Sequence, residues 1–120
     1  MSARAARAPV LRAHPGPPVR LELDLPADLD CFRGHFPGCP ILAGVVQLDW
    51  AIRFGSEYLG TSTRVTRISA LKFMRIVRPG ARLALILEPT PDGMRFEYRH
   101  QRESTQAEVV CSSGRIACAR

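Results

Sequence analysis

The sequence predicts an α+β fold in which a curved antiparallel sheet wraps around one long helix. Only residues 45–59 (VVQLDWAIRFGSEYL) have helical spacing, and their apolar side chains cover most of the circumference, which is typical of a buried helix. A strand beginning at Val19 precedes this helix, and about four consecutive strands follow it. A sheet curved around a central helix satisfies that order best.

Each strand is predicted from alternation of apolar and polar residues and from the turn residues that end it. The predicted strands are VRLELDL from Val19, residues 63–77 ending at the turn Arg78-Pro79-Gly80, residues 81–88 ending at the turn residues 89–93, residues 94–101, and residues 107–119 with a bulge near Gly114.

The remaining segments lack periodicity. Residues 1–17 are rich in Ala, Arg and Pro, and we predict a flexible tail there, ahead of one domain over residues 18–120. Residues 26–44 hold three prolines and three glycines, which predicts a structured loop.

Composition narrows the class of protein. The formal net charge of +6 comes almost entirely from arginine, since Lys72 is the only lysine, and it favours an anionic partner. The arginines are spread along the chain without interleaved aromatics, which argues against nucleic acid. No apolar run is long enough for a membrane span and none resembles a secretory signal, so we expect a cytoplasmic protein.

The four cysteines form no CxxC pair, and no histidine lies at zinc-finger spacing from them. We therefore expect small buried hydrophobic residues at these positions and no metal site.

Two titratable residues stand out. Asp49 lies inside the apolar helix, where a bare carboxylate is costly to bury, although it could instead face a solvated edge or pair with Arg53 one turn on. His35 lies in the rigid run RGHFPG, where a merely structural histidine is the alternative. Gly44 stands where the helix begins, so a ligand oxygen can approach the free N–H groups of the first turn. A base, an acid and such a donor are what loss of a β-hydroxyl requires.

The segment GHFPGCPILAGVVQLDWA resembles the active-site signature of the FabA/FabZ-type 3-hydroxyacyl-acyl-carrier-protein dehydratases of the hot-dog fold. The later run ISALKFMRIVRPGARL resembles the strand and Pro-Gly turn that follow the helix in that family. GVVQLDWA is most similar to the short dehydratases of aryl-polyene and related pathways. The resemblance implies dehydration of (3R)-hydroxyacyl thioesters to trans-2-enoyl thioesters in fatty-acid or polyene-type biosynthesis.

The resemblance also implies roles for individual residues. His35 is the base that takes the α-proton, and Asp49 is the acid that protonates the departing hydroxyl, directly or through water. The Gly44 amide polarises the thioester carbonyl, while the Ile41 carbonyl holds the His35 ring. Phe36 and Gly38 complete the His-Phe-x-Gly substrate loop. A homodimer with the site at its interface is implied, and no cofactor besides the phosphopantetheine arm of the acyl carrier protein.

Two residues depart from the family pattern. Ala43 replaces the usual proline before the helix-start glycine, which loosens the turn. Arg53 replaces a glutamine and favours the ionised form of Asp49, so either Arg53 points away, towards a phosphopantetheine phosphate, or Asp49 orients water. Arg75 and Arg78 are further candidates for carrier contact, with a solvated charged face as the alternative.

Two other functions fit the sequence. A hot-dog thioesterase also carries a carboxylate on its central helix, but it does not usually have the His-Phe-Pro-Gly loop. A non-catalytic acyl-binding hot-dog subunit is suggested only by Ala43 and Arg53. Acyl chain length, isomerase activity and oligomeric state beyond a dimer are left open by the sequence.

Overall fold

The computed structural model of the protein describes residues 9–26, 41–101 and 107–119. Within these ranges six antiparallel strands form one sheet that packs against a single helix. The elements are β1 (Val10–His14), β2 (Val19–Asp24), α1 (Gly44–Leu59), β3 (Val65–Phe73), β4 (Arg82–Thr90), β5 (Gly93–Gln101) and β6 (Glu108–Cys118). The strand order is β1-β2-β4-β5-β6-β3, so β1 and β3 are the two edges.

Helix α1 buries one stripe of residues against the sheet. Its buried positions recur every three or four residues, and they are Gln47, Trp50, Ala51, Phe54 and Gly55. The sheet meets this stripe with side chains that are almost fully buried, among them Leu21, Leu85, Phe96 and Tyr98. The prediction of a helix buried on nearly all sides is wrong for the single chain described here, because Val45 is 71% exposed.

The helix ends where Gly60 adopts a left-handed conformation with φ of 75°. The N–H groups of Gly60 and Thr61 donate to the carbonyls of Ser56 and Gly55, which satisfies two of the last free carbonyls. A residue with a β-carbon would be strained at Gly60, so this glycine sets the length of α1.

Two strand boundaries differ from the sequence predictions. Val10–His14 forms β1, so the predicted flexible tail over residues 1–17 is wrong for this segment, which pairs antiparallel with β2. Pro89 and Thr90 were expected in a turn but belong to β4, because Thr90 pairs with Gly93 and only Pro91 and Asp92 form the turn.

The β3–β6 pairing contains a bulge opposite Gly114, near the site that the sequence predicts. The extra residue lies in β3 and not in β6: it is Ala70, whose φ is 52°, between the pairs Ser69–Arg115 and Lys72–Ser113. Strand β6 has its own irregularity at Cys111, where Tyr98 pairs with Ser112 and Arg99 with Val110. Cys111 is buried as predicted, and burial raises the pKa of its thiol, whereas Cys118 is only partly buried and Cys31 and Cys39 lie outside the described residues.

Residues 74–81 form a crossover segment that connects β3 to β4. It begins at the Cys111 bulge, whose carbonyl accepts hydrogen bonds from the N–H groups of Met74 (2.8 Å) and Arg75 (3.1 Å). It ends in the turn that the sequence predicts, with Gly80 at φ of 83° and a hydrogen bond from Ala81 N–H to the Arg78 carbonyl.

Ion pairs connect strands on the outer face of the sheet. Arg20 on β2 donates both terminal nitrogens to the Glu108 carboxylate on β6, with 3.1 Å between Nη1 and Oε1. Arg99 on β5 lies 3.6 Å from the same carboxylate. The hydrogen bond from Arg20 lowers the pKa of Glu108, so the charged form of this carboxyl is favoured by folding.

Replacing Glu108 with Gln is expected to lower the free energy of unfolding by about 0.5–1 kcal/mol near neutral pH, because the pair is partly exposed. Since folding lowers the Glu108 pKa, its contribution is present above the unfolded value of 4.5 and is lost as pH falls through the folded value. Urea unfolding as a function of pH checks this. Glu88→Gln, at an exposed position on β4, is the control, and a pH-independent gap for Glu108→Gln would contradict the prediction.

Candidate active site

Helix α1 begins without a side-chain cap. The cap position is Ala43, which has extended backbone angles and no side-chain acceptor, and no acidic residue lies in the first turn. The Ala43 carbonyl accepts the N–H groups of Val46 and Gln47, both at 3.1 Å. No described carbonyl accepts a hydrogen bond from the Gly44 amide, which lies at the positive end of the helix, where a ligand oxygen is favoured.

Leu42, the residue before the cap, has both its N–H and its carbonyl hydrogen-bonded. The Leu42 N–H donates to the Val77 carbonyl of the crossover segment at 2.7 Å. The Leu42 carbonyl accepts a hydrogen bond from Gln47 Nε2 at 3.0 Å. The approach to Gly44 is therefore fixed to the crossover segment at one end and to the helix at the other.

A cavity of about 260 Å³ opens beside this helix start. Its lining residues are Ile41, Leu42, Gly44, Gln47, Phe73, Met74, Arg75 and Ile76. The Phe73 ring lies directly against Gly44: a β-carbon on Gly44 would be 2.7 Å from the ring atom Cζ. The predicted substrate-contact residues Gly44 and Ile41 are thus brought to one cavity, with Phe73 across it.

Asp49 is not among the lining residues of this cavity. Its side chain is 40% exposed, and Arg53 Nη1 donates to its Oδ2 at 3.2 Å across one turn of the helix. The pairing that the sequence offered as an alternative is therefore present. The alternative in which Arg53 points away from Asp49 is wrong, because the contact places the guanidinium on the carboxylate.

Sequence reasoning missed a buried polar cluster behind the cavity, formed by Gln47, Tyr98 and Ser112. All three are at most 3% exposed. Burial and the nearby Asp49 carboxylate raise the pKa of Tyr98 well above its ordinary value, so its hydroxyl remains a donor. The available signal was Gln47 itself, a polar residue in the apolar run VVQLDW.

A second cavity, of about 630 Å³, shares residues 74–76 of its lining with the first. The crossover segment forms most of its wall, and His100 and Cys111 complete it. The candidate carrier-contact residues Arg75 and Arg78 both line it and are exposed. His100, which the sequence gave no role, adds a third nitrogen-bearing side chain to this wall.

Three predicted site residues, His35, Phe36 and Gly38, lie outside the described residues. Among the residues that are described, no group of three His, Cys, Asp or Glu side chains is arranged to hold a metal ion, and no helix is long and apolar enough to cross a membrane. The absence of a cofactor stays a prediction.

A family model described as ApeI-like, ApeI dehydratase, matches residues 12–115. The chain belongs to the ApeI-like dehydratase family. The match covers every described strand except the ends of β1 and β6, and it includes the whole of α1.

Individual proteins agree with membership of the ApeI-like family. The dehydratase heterocomplex ApeI:P from Xenorhabdus doucetiae superposes with a TM-score of 0.82 at 26% identity, over 96% of this chain and 100% of that one. The 3-hydroxyacyl-acyl-carrier-protein dehydratase FabZ of Mannheimia succiniciproducens is 33% identical over 99 residues, covering 75% of this chain and 65% of the relative. FabZ of Levilactobacillus brevis is 25% identical over 107 residues, covering 83% and 72%.

The hot-dog fold and the resemblance to FabA/FabZ-type dehydratases, including the aryl-polyene subgroup, are confirmed. Dehydration of 3-hydroxyacyl groups on acyl carrier protein, in fatty-acid or polyene biosynthesis, is supported as the class of function of this family. The chain spans slightly less than two thirds of the Mannheimia succiniciproducens relative.

Replacing Gly44 with Ala is expected to lower the free energy of unfolding by about 1–3 kcal/mol, because the new β-carbon overlaps the Phe73 ring. Phe73→Leu shortens the side chain that lies there, so the double variant should recover part of the loss. Urea unfolding of both single variants and the double variant measures the coupling. Strictly additive losses would contradict the packing of Phe73 on Gly44.

Proposed function

We propose that this chain dehydrates (3R)-hydroxyacyl thioesters carried on acyl carrier protein, giving trans-2-enoyl thioesters. The observation that carries the proposal is the uncapped helix start at Gly44 beside a cavity of about 260 Å³, in a member of a dehydratase family. An N–H group at the positive end of a helix is suited to a thioester carbonyl whose oxygen gains charge as the α-proton leaves.

In the proposed reaction His35 takes the proton from the α-carbon. The electrons of that C–H bond form the new double bond, and the electrons of the C–O bond leave with the 3-hydroxyl oxygen. This oxygen takes up the proton from the protonated His35, directly or through a water molecule, so water departs and His35 is neutral again. The Gly44 amide donates to the thioester carbonyl, which stabilises the charge that develops there. The Ile41 carbonyl would hold the His35 ring, since Ile41 lines the same cavity as Gly44.

The role of Asp49 is to help the hydroxyl leave. The Arg53 guanidinium donates to Oδ2 of Asp49 at 3.2 Å, so this side chain already serves as a hydrogen-bond acceptor on the helix. This supports the version in which Asp49 orients the leaving hydroxyl or a water molecule beside it.

We propose a homodimer with the site at its interface. Within one protomer Asp49 lies outside the Gly44 cavity, so a carboxylate from a second copy would complete the site. Among the residues that the structure describes, seven large apolar side chains are exposed, and six of them lie on β3, just after it, or at the helix start: Val45, Ile68, Leu71, Phe73, Met74 and Ile76. Such a concentration on an edge strand favours a protein partner. Because the Xenorhabdus doucetiae neighbour is a heterocomplex, a different subunit is the alternative partner.

The proposed carrier contact is the wall of the 630 Å³ cavity. Arg75 and Arg78 are exposed there, on the crossover segment, and Arg75 also lines the cavity at Gly44. Two guanidinium groups suit an acidic carrier surface or the phosphate of its phosphopantetheine arm.

Replacing His35 with Ala, or Asp49 with Asn, is expected to lower the rate of enoyl thioester formation by about 10²- to 10⁴-fold. The measurement is mass spectrometry of 3-hydroxyacyl carriers of graded chain length. Glu57→Gln, an exposed carboxyl on the same helix, is the control. Near wild-type turnover by either variant would show that the pair is wrong, and release of free acid and thiol by the wild type would indicate a thioesterase.

A mixture of the two inactive variants tests the shared site. In a dimer holding one His35→Ala and one Asp49→Asn subunit, one of the two sites keeps both residues. When subunits of an equimolar mixture exchange at random, half of the dimers are mixed. The mixture should therefore regain about a quarter of wild-type activity. If the mixture is no more active than its components although subunits exchange, each site is built within one chain or with another partner.

Replacing Arg75 and Arg78 together with Glu is expected to raise KM for the acyl carrier about tenfold or more while kcat stays nearly constant, because the change reverses the charge that attracts the carrier. The effect should shrink as salt concentration rises. Steady-state kinetics at two ionic strengths checks this, with Arg95→Glu on β5 as the control. An equal rise in KM for that control would place the carrier elsewhere.

A further inference from the structure

Three polar side chains are buried directly behind the start of helix α1. Gln47 is 3% exposed, Ser112 is 1% exposed and Tyr98 is fully buried. Buried polar groups are costly unless each finds a hydrogen-bond partner. An apolar residue of similar length would fill the space of Gln47, but it would leave the Ser112 hydroxyl and the Leu42 carbonyl without the partner that the amide provides.

The Gln47 amide is engaged at both ends. Its Oε1 accepts a hydrogen bond from Ser112 Oγ at 2.7 Å, and its Nε2 donates to the Leu42 carbonyl at 3.0 Å. Because the Leu42 carbonyl can only accept a hydrogen bond, the NH₂ group faces Leu42, and Oε1 accepts from the Ser112 hydroxyl. The Tyr98 hydroxyl donates to the Gln47 backbone carbonyl at 2.7 Å, which anchors the same residue to β5.

These bonds act on the segment that leads to the Gly44 amide. Leu42 is held by Gln47 at its carbonyl and by Val77 at its N–H, and the next two residues are the cap Ala43 and Gly44. The side-chain oxygen of a serine, threonine or aspartate cap would normally orient the first turn, and the methyl group of Ala43 cannot do so. Gln47 therefore supplies from inside the helix an anchor that the cap residue lacks.

We propose that Gln47 is a positioning residue that sets the direction of the Gly44 N–H, with Ser112 orienting the Gln47 amide. This inference rests on the proposed dehydratase function, in which that N–H binds the thioester carbonyl. Gln47 also lines the 260 Å³ cavity, so a shift of its side chain changes the shape of the site as well as its donor.

The test compares Gln47→Met, Ser112→Ala and the double variant. Gln47→Met removes the anchor on Leu42 and leaves the Ser112 hydroxyl without its acceptor, so stability and activity should both fall. In the double variant, Ser112→Ala also removes the hydroxyl that has lost its acceptor, which should restore much of the free energy of unfolding. Activity should not return with it: kcat should stay about 10- to 100-fold below wild type in both variants that carry the Gln47→Met substitution, with KM nearly unchanged.

A control variant and a hydrogen-exchange measurement distinguish a positioning role of Gln47 from a purely structural one. Ser113→Ala, next to Ser112 on β6, is the matched control and should leave kcat unchanged. Amide hydrogen exchange at Leu42, whose N–H is bonded to the Val77 carbonyl, should be faster in the Gln47→Met/Ser112→Ala double variant than in Ser112→Ala, after allowance for the global stability of each, whether or not the substrate is correctly identified.

Recovery of kcat together with stability in the double variant would overturn the positioning role, as would unchanged exchange at Leu42. A wild-type protein that forms no enoyl product on any 3-hydroxyacyl carrier would instead overturn the proposed function, and the exchange experiment would still decide whether Gln47 positions the amide.

Discussion

The hydrogen bond from the Leu42 N–H to the Val77 carbonyl joins the two parts of the chain on which the candidate site depends. One part is the start of the central helix, and the other is the crossover segment that carries Arg75 and Arg78. Because this segment also begins at the carbonyl of Cys111, the helix start is fixed to β6 through a short chain of backbone contacts. Residues 74–76 of the crossover segment line both the cavity at Gly44 and the larger cavity.

Much of the fold could be predicted because it depends on local patterns. The helix begins within one residue of its predicted position, and the turn at Pro79-Gly80 forms as expected because only glycine readily takes the positive φ there. Strand β1 was missed because its residues VLRAH alternate weakly and gain their order from pairing with β2. Pro89 was assigned to a turn on composition, yet proline is tolerated at this end of β4 beside a two-residue hairpin loop.

Site residues could be predicted from the sequence only where the residue type itself was unusual at its position. Gly44 and Asp49 were identified from their places in the helix, and both lie there, but spacing along a chain does not say which cavity a side chain enters. Gln47 was overlooked because its importance comes from Leu42, Tyr98 and Ser112, which are distant in sequence or unremarkable in type. Which buried polar groups bond to one another depends on how the core packs, and the apolar–polar periodicity of the sequence does not show it.

The bulge at Ala70 has a consequence for how the molecule avoids uncontrolled self-association. An uninterrupted edge strand with exposed apolar side chains would present a regular row of unpaired N–H and C=O groups, on which further chains could stack without limit. The extra residue, held at positive φ, breaks that row between Ser69 and Lys72 and bends the strand. An edge shaped in this way accepts a partner whose contour matches the bend and gives a poor template for fibre growth.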